Sequence, residues 1–128
     1  MELKRVVITG MGAITPLGNT VNDYWNGLIN GVSGADLITL FDASKFKTRF
    51  ACELKGFEPT DFLEKKEARK MDRFTQTAII ASDEAVADAG ISKENVDANR
   101  VGVVFASGIG GLITFQEEVI NFAKGDGT

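Results

Sequence analysis

Histidine is missing from all 128 residues, and cysteine occurs once. A Cys–His or Ser–His pair therefore cannot be assembled within this chain, and neither can an imidazole or multi-thiolate metal site. The single thiol, Cys52, has no intrachain disulfide partner. It lies in Phe50-Ala51-Cys52-Glu53-Leu54, a short strand-like run with no cationic helix start beside it to stabilise a thiolate. It reads as a small buried hydrophobe. Long apolar runs are also lacking: stretches such as Val103-Val104-Phe105-Ala106 fall far short of the roughly 20 residues that span a bilayer. Lys4 and Arg5 are followed only by Val-Val-Ile before glycine, too little for a signal-peptide core, so a cytoplasmic location is expected. Positive charge is the third shortage, with 14 basic against 18 acidic residues and a net charge of −4. No broad attraction to nucleic acid or to an anionic membrane is expected, and an anionic partner has to be met by a local patch.

What is present begins with a β-branched run that breaks into glycines, VVITGMGAITPLG at 6–18. Residues 5 to 9 show no polar alternation, which suits a strand buried on both faces of an α/β sheet. Thr20-Val21-Asn22-Asp23 has the spacing of a capping box, and Tyr24, Trp25, Leu28 and Ile29 share a helical face, so a helix is predicted over about 20 to 30. Residues 31 to 60 read as an excursion containing a β-hairpin or edge element, with the strand signal between 47 and 54. Apolar spacing then predicts one long helical stretch from 61 to 89, with Gly90 as its terminating residue. Its alanine-rich part, 78 to 89, allows another element to approach closely. Residues 101 to 106 form a second apolar strand, Ser107-Gly108-Ile109-Gly110-Gly111 breaks it, and a last helix follows near 112 to 124. The two glycine turns echo one another. Both leave an apolar strand and both precede a helix, which is where open α/β sheets bind ligands.

The first glycine turn fails as a phosphate cradle. The dinucleotide fingerprint needs a third glycine where Thr15 stands, and Pro16 falls where the helix would be under way. Asp36, the nearest acid at the required distance, follows no strand. No glycine precedes Lys-Ser or Lys-Thr at P-loop spacing. A nucleotide-binding α/β module is the disfavoured alternative.

Four segments taken in order and spacing, VVITGMGAITPLG at 6–18, GVSGADLITLFDASKFKTRFACELKGF at 31–57, KKEARKMDRFTQTAIIASDEAVADAG at 65–90 and RVGVVFASGIGG at 100–111, resemble the amino-terminal part of a β-ketoacyl-acyl-carrier-protein synthase, within that family most nearly an elongating type II enzyme of bacterial fatty acid synthesis. The resemblance covers essentially the whole chain. It implies an α/β, thiolase-like fold, of which residues 1–128 are the amino-terminal portion of the first of two related halves, working as a homodimer in the full-length protein. It also implies that Gly10 and Gly12 serve a tight strand exit in a structural role. The family's cysteine nucleophile and two histidines lie beyond the matched region, so no catalytic residue is expected here and the 128 residues alone are expected to be inactive. The implied reaction uses acyl and malonyl thioesters. Acyl transfer to the cysteine is followed by decarboxylation of the malonyl unit and attack of the carbanion on the thioester. Loss of carbon dioxide supplies the carbanion, so no cofactor and no metal are implied. A noncatalytic synthase-like partner subunit of the same fold is the alternative, separable by whether a cysteine follows downstream in a Gly/Ser-rich turn.

Two candidate sites follow from the resemblance and from spacing. Ile109, in its glycine-flanked turn, matches a family position that contacts the growing acyl chain. Lys66, Arg69 and Lys70, with Arg73 assisting, fall at i, i+3, i+4 and i+7 of the expected helix and form a basic stripe on an acidic chain. The first three match family positions that contact the acidic acyl carrier protein.

Overall fold

The first helix of the chain is capped, as its sequence requires. In the computed structural model, which describes residues 3–125, helix α1 spans Val21–Ile29. Thr20 Oγ1 accepts the Asp23 amide hydrogen at 3.1 Å and donates to Asp23 Oδ2 at 2.8 Å. One orphan amide of the first turn is thereby satisfied, and an acid is placed at the helix's positive end.

The excursion at 31 to 60 holds the expected hairpin in miniature. Strand β1, Asp36–Leu37, pairs antiparallel with β2, Phe50–Ala51, in the register Asp36 to Ala51 and Leu37 to Phe50. One more backbone bond, Ile38 amide to Arg49 carbonyl at 3.0 Å, extends the contact. The ladder then stops because the next two amides, Thr39 and Leu40, donate to the Glu53 carboxylate, a side chain competing with the sheet. The Thr39 hydroxyl, bonded to Glu53 at 2.7 Å, holds that carboxyl below its usual range. Cys52, expected to be buried, is exposed. It follows a two-residue strand with no second layer over it among the described residues.

The long helix expected from 61 to 89 is three pieces. A single 3₁₀ turn, Pro59–Asp61, leads to helix α2, Lys65–Ala68, and then to helix α3, Arg73–Asp88. The break falls at Asp72, whose backbone is extended at φ −63°, ψ 154°. Gln76 stabilises it by donating its side-chain amide to the carbonyls of Ala68 at 2.8 Å, which also accepts the Met71 amide, and of Met71 at 3.2 Å. Neither glycine nor proline marks this junction, so hydrophobic spacing runs through it unbroken. At the far end Gly90 takes φ +62°, the left-handed conformation that ends helices.

The small core lies beside α2 and α3: Ala43, Phe57, Ala68, Ala78 and Ile80 are buried. Phe57 stacks on Phe62 with ring centroids 6.4 Å apart, and the Arg73 guanidinium sits 5.1 Å from its centroid. Helix α4, Leu112–Lys124, ends the described chain.

The two apolar strands expected at 5 to 9 and 101 to 106 have no regular secondary structure and form no ladder. A strand exists by pairing, and no backbone partner faces either segment among the described residues. Their side chains are correspondingly open: Val6 is 89% exposed, Ile8 83% and Val104 97%. No helix among the described residues is long and apolar enough to cross a membrane.

Candidate functional site

Helix α3 organises both glycine turns. Along one of its faces Ala81, Ala85 and Ala89 recur at i, i+4 and i+8, and the backbone of Gly10 and Gly12 lies directly on that ridge. A Cβ at Gly12 would overlap the Ala81 carbonyl oxygen, and one at Gly10 would overlap the Ala85 carbonyl and the Ala89 amide. Neither residue has positive φ. These glycines therefore supply close approach to a helix rather than an unusual turn conformation.

Two carboxylates of α3 take up the amides of that turn. Asp88 Oδ2 accepts from Met11 at 2.9 Å, and Glu84 Oε2 accepts from Ala13 at 2.9 Å. The other Glu84 oxygen accepts from the Val21 amide, also at 2.9 Å, and so satisfies an orphan donor of α1. A phosphate held by this loop would need the same donors, and would meet two negative side chains already on them. Glu84 and Asp88 went unnoticed in the sequence because an acid on an amphipathic helix has the appearance of an ordinary solvated residue.

The second turn carries Ile109, whose side chain is 77% exposed. Gly110 after it has φ +80°, and Gly111 is the N-cap of α4. Beside it an open groove of ≈ 450 Å³ is bordered by Met71, Asp72 and Phe74 on one side and by Gly111, Leu112 and Thr114 on the other. A second groove of ≈ 320 Å³ runs between Phe74, Ala78 and Ile79 of α3 and the side chains of Val103 and Phe105. Among the described residues no group of three or more His, Cys, Asp or Glu side chains is placed to hold a metal ion.

The basic residues sit on the interrupted segment. Backbone bonds from Arg69 to Lys65, Lys70 to Glu67 and Met71 to Ala68 continue α2 as a turn, so Lys66, Arg69 and Lys70 remain on one short helical piece, all exposed, with Ala68 buried behind them. Lys70 Nζ pairs with Glu67 at 2.8 Å, while Lys66 and Arg69 form no salt bridge among the described residues. Arg73 does not continue the stripe. It lies across the Asp72 break, in α3, over the Phe57 ring.

The model of the β-ketoacyl synthase N-terminal domain matches residues 3–126. The chain belongs to the β-ketoacyl synthase family. Among curated relatives of this synthase domain, 3-oxoacyl-[acyl-carrier-protein] synthase 2 of Synechocystis sp. is 48% identical over 92% of the chain, and the protein of that name from Staphylococcus aureus is 51% identical over 88%. The chain spans 28% and 27% of their lengths. Solved ketosynthases agree in three dimensions. The ishigamide ketosynthase/chain length factor superposes with a TM-score of 0.77 at 32% identity, covering 94% of this chain and 30% of its own. A chain of the complex between a type II PKS acyl-carrier protein and its ketosynthase, bound to the hexaketide, gives 0.71 at 27% identity, covering 98% and 32%. The α/β, thiolase-like class implied by the sequence is thus the class of this synthase domain.

Proposed function

We propose that this chain is the amino-terminal part of a 3-oxoacyl-acyl-carrier-protein synthase of fatty acid biosynthesis. In the full-length protein it would join an acyl thioester to a malonyl thioester by decarboxylative Claisen condensation, as an acyltransferase working in a homodimer in the cytoplasm. The observation that carries this reading is the identity of about one residue in two with synthases of that name over nearly the whole chain. The unpaired apolar segments at 5 to 9 and 101 to 106 are in keeping with it. Their open edges need sheet partners, and the remaining three-quarters of the relatives' length is where this reading places both those partners and the nucleophile.

In this reading Lys66, Arg69 and Lys70 receive the acidic acyl carrier protein. Support comes from their joint exposure on one turn, from the freedom of two of the three from ion pairs among the described residues, and from the relative solved with its carrier protein. Electrostatic docking acts mainly on the association rate and is screened by salt, over roughly 8 Å at 0.15 M. Reversing all three charges to glutamate in the full-length synthase is expected to lower kcat/KM for acyl-carrier-protein substrates by about tenfold or more at low salt. The same variant should leave turnover of a short acyl-pantetheine unchanged. Equal loss on both substrates would indicate misfolding, and no loss on either would refute the docking role.

Ile109 is assigned to the acyl pocket on its position in the second glycine turn, with an exposed side chain at the mouth of α4. Ile109→Phe adds an aromatic ring there and is expected to shift the preference of the full-length synthase toward shorter acyl primers. Acyl-length kinetics that match the unsubstituted enzyme would remove the assignment.

A further inference from the structure

Asp72 occupies the N-cap of α3, yet its carboxylate makes no capping bond to its own helix. It accepts instead from the Thr114 hydroxyl in the first turn of α4, 42 residues away. It also lies against Gly111, where any Cβ would overlap its carboxylate. Gly111 is the N-cap of α4 and has no side chain with which to cap it. The first turn of α4 is therefore supplied with its negative group from another helix, at the end where the aligned peptide dipoles favour one.

We infer that Asp72 is a positioning residue that fixes the Ile109 turn through Thr114 and the start of α4. The linkage is short in sequence. Ile109 precedes Gly111 by two residues, and Gly110 between them, at φ +80°, is a joint that only glycine tolerates well. With α4 anchored at Thr114, the turn has one fixed end and one pivot, so the Ile109 side chain is confined to a small arc beside the groove formed by 71–74 and 110–114. Released from Asp72, the first turn of α4 frays and that arc widens. The consequence for specificity rests on the acyl-pocket reading of Ile109; the latch itself does not.

The test uses the full-length synthase with Thr114→Val, which removes the hydroxyl at nearly constant shape, and Thr114→Ser, which retains it. Hydrogen–deuterium exchange of peptides covering 107–118 reports the latch directly, and the kcat/KM ratio of long to short acyl primers reports the placement of Ile109. Thr114→Val is expected to accelerate exchange across 111–116 about tenfold, the scale of one lost hydrogen bond to a charged group. Peptides from the middle of α3 should be unaffected, and the acyl-length ratio should move several-fold. Thr114→Ser should match the unsubstituted protein in both readouts. Unchanged exchange in Thr114→Val overturns the latch, as does Thr114→Ser behaving like Thr114→Val. If exchange rises and Ile109→Phe moves the acyl-length ratio but Thr114→Val does not, the positioning role is overturned. If exchange rises while Ile109→Phe itself leaves the ratio unchanged, the latch is upheld and the acyl-pocket reading of Ile109 falls.

Discussion

Gly12→Ala is expected to destabilise the full-length protein by about 3 kcal/mol or more, the upper range for overpacking a tight contact. The added methyl would meet the Ala81 carbonyl oxygen, a backbone atom that no rotamer change can move aside. The loop would have to lift away from α3, taking with it the amide bonds of Met11 and Ala13 to Asp88 and Glu84. Gly31→Ala provides the contrast. That position has φ +64° and open space around it, so its cost is conformational alone, about 1 kcal/mol. Unfolding midpoints in urea for the two variants check the ordering. A second arm separates close approach from general loop sensitivity: Ala81→Gly should fail to rescue Gly12→Ala, because the obstructing atom belongs to the peptide and survives the substitution. Equal midpoints for Gly12→Ala and Gly31→Ala would show that the glycine is not held against the helix.

Much of the helical framework was legible in the residues because its boundaries carry local chemistry. Thr20 and Asp23 mark the start of α1, Gly90 takes the left-handed conformation just after α3, and α4 occupies the span that apolar spacing assigns to it. The alanines of α3 announced a close neighbour, and Gly10 and Gly12 are that neighbour. The sequence misled where the deciding interaction is long-range. Nothing near Asp72 shows that it will extend, since the compensating groups are the Gln76 side chain and, 42 residues on, Thr114. The basic stripe was drawn on a continuous helix for that reason, and it loses Arg73 to Phe57. The strand signals at 5 to 9 and 101 to 106 are not realised as strands among the described residues, because β-branched composition encodes a demand for neighbours without supplying them. Cys52 was misjudged for a related cause. Strand-like surroundings imply burial only where a second layer exists.

Glu84 is the residue whose removal should reach furthest from its own position. Both of its oxygens accept backbone amides at 2.9 Å, from Ala13 after the glycine turn and from Val21 at the start of α1. One half-buried carboxylate thus joins three elements: the 10–14 loop, α1 and α3. Glu84→Ala leaves both donors in partly buried surroundings without a partner, and each such loss costs about 1–3 kcal/mol. A total of about 2–6 kcal/mol is expected on the same basis, a range that includes that of Gly12→Ala though reached by a different route. Glu84→Gln separates charge from geometry. Its single carbonyl oxygen can satisfy one amide while its NH₂ group confronts the other, so its cost should fall between that of the alanine variant and zero. Asp88→Asn, at an exposed site with one amide to satisfy, should cost less than either. Urea unfolding of the full-length protein supplies the ranking, and amide exchange at Ala13 and Val21 locates the damage. Both amides should exchange faster in Glu84→Ala, and only one of them in Glu84→Gln. A Glu84→Ala protein within about 0.5 kcal/mol of the parent, the range of an ordinary surface substitution, would mean that these amides find water as readily as they find the carboxylate. The acids of α3 would then be surface charge, and the glycine turn would owe its position to the alanine ridge alone.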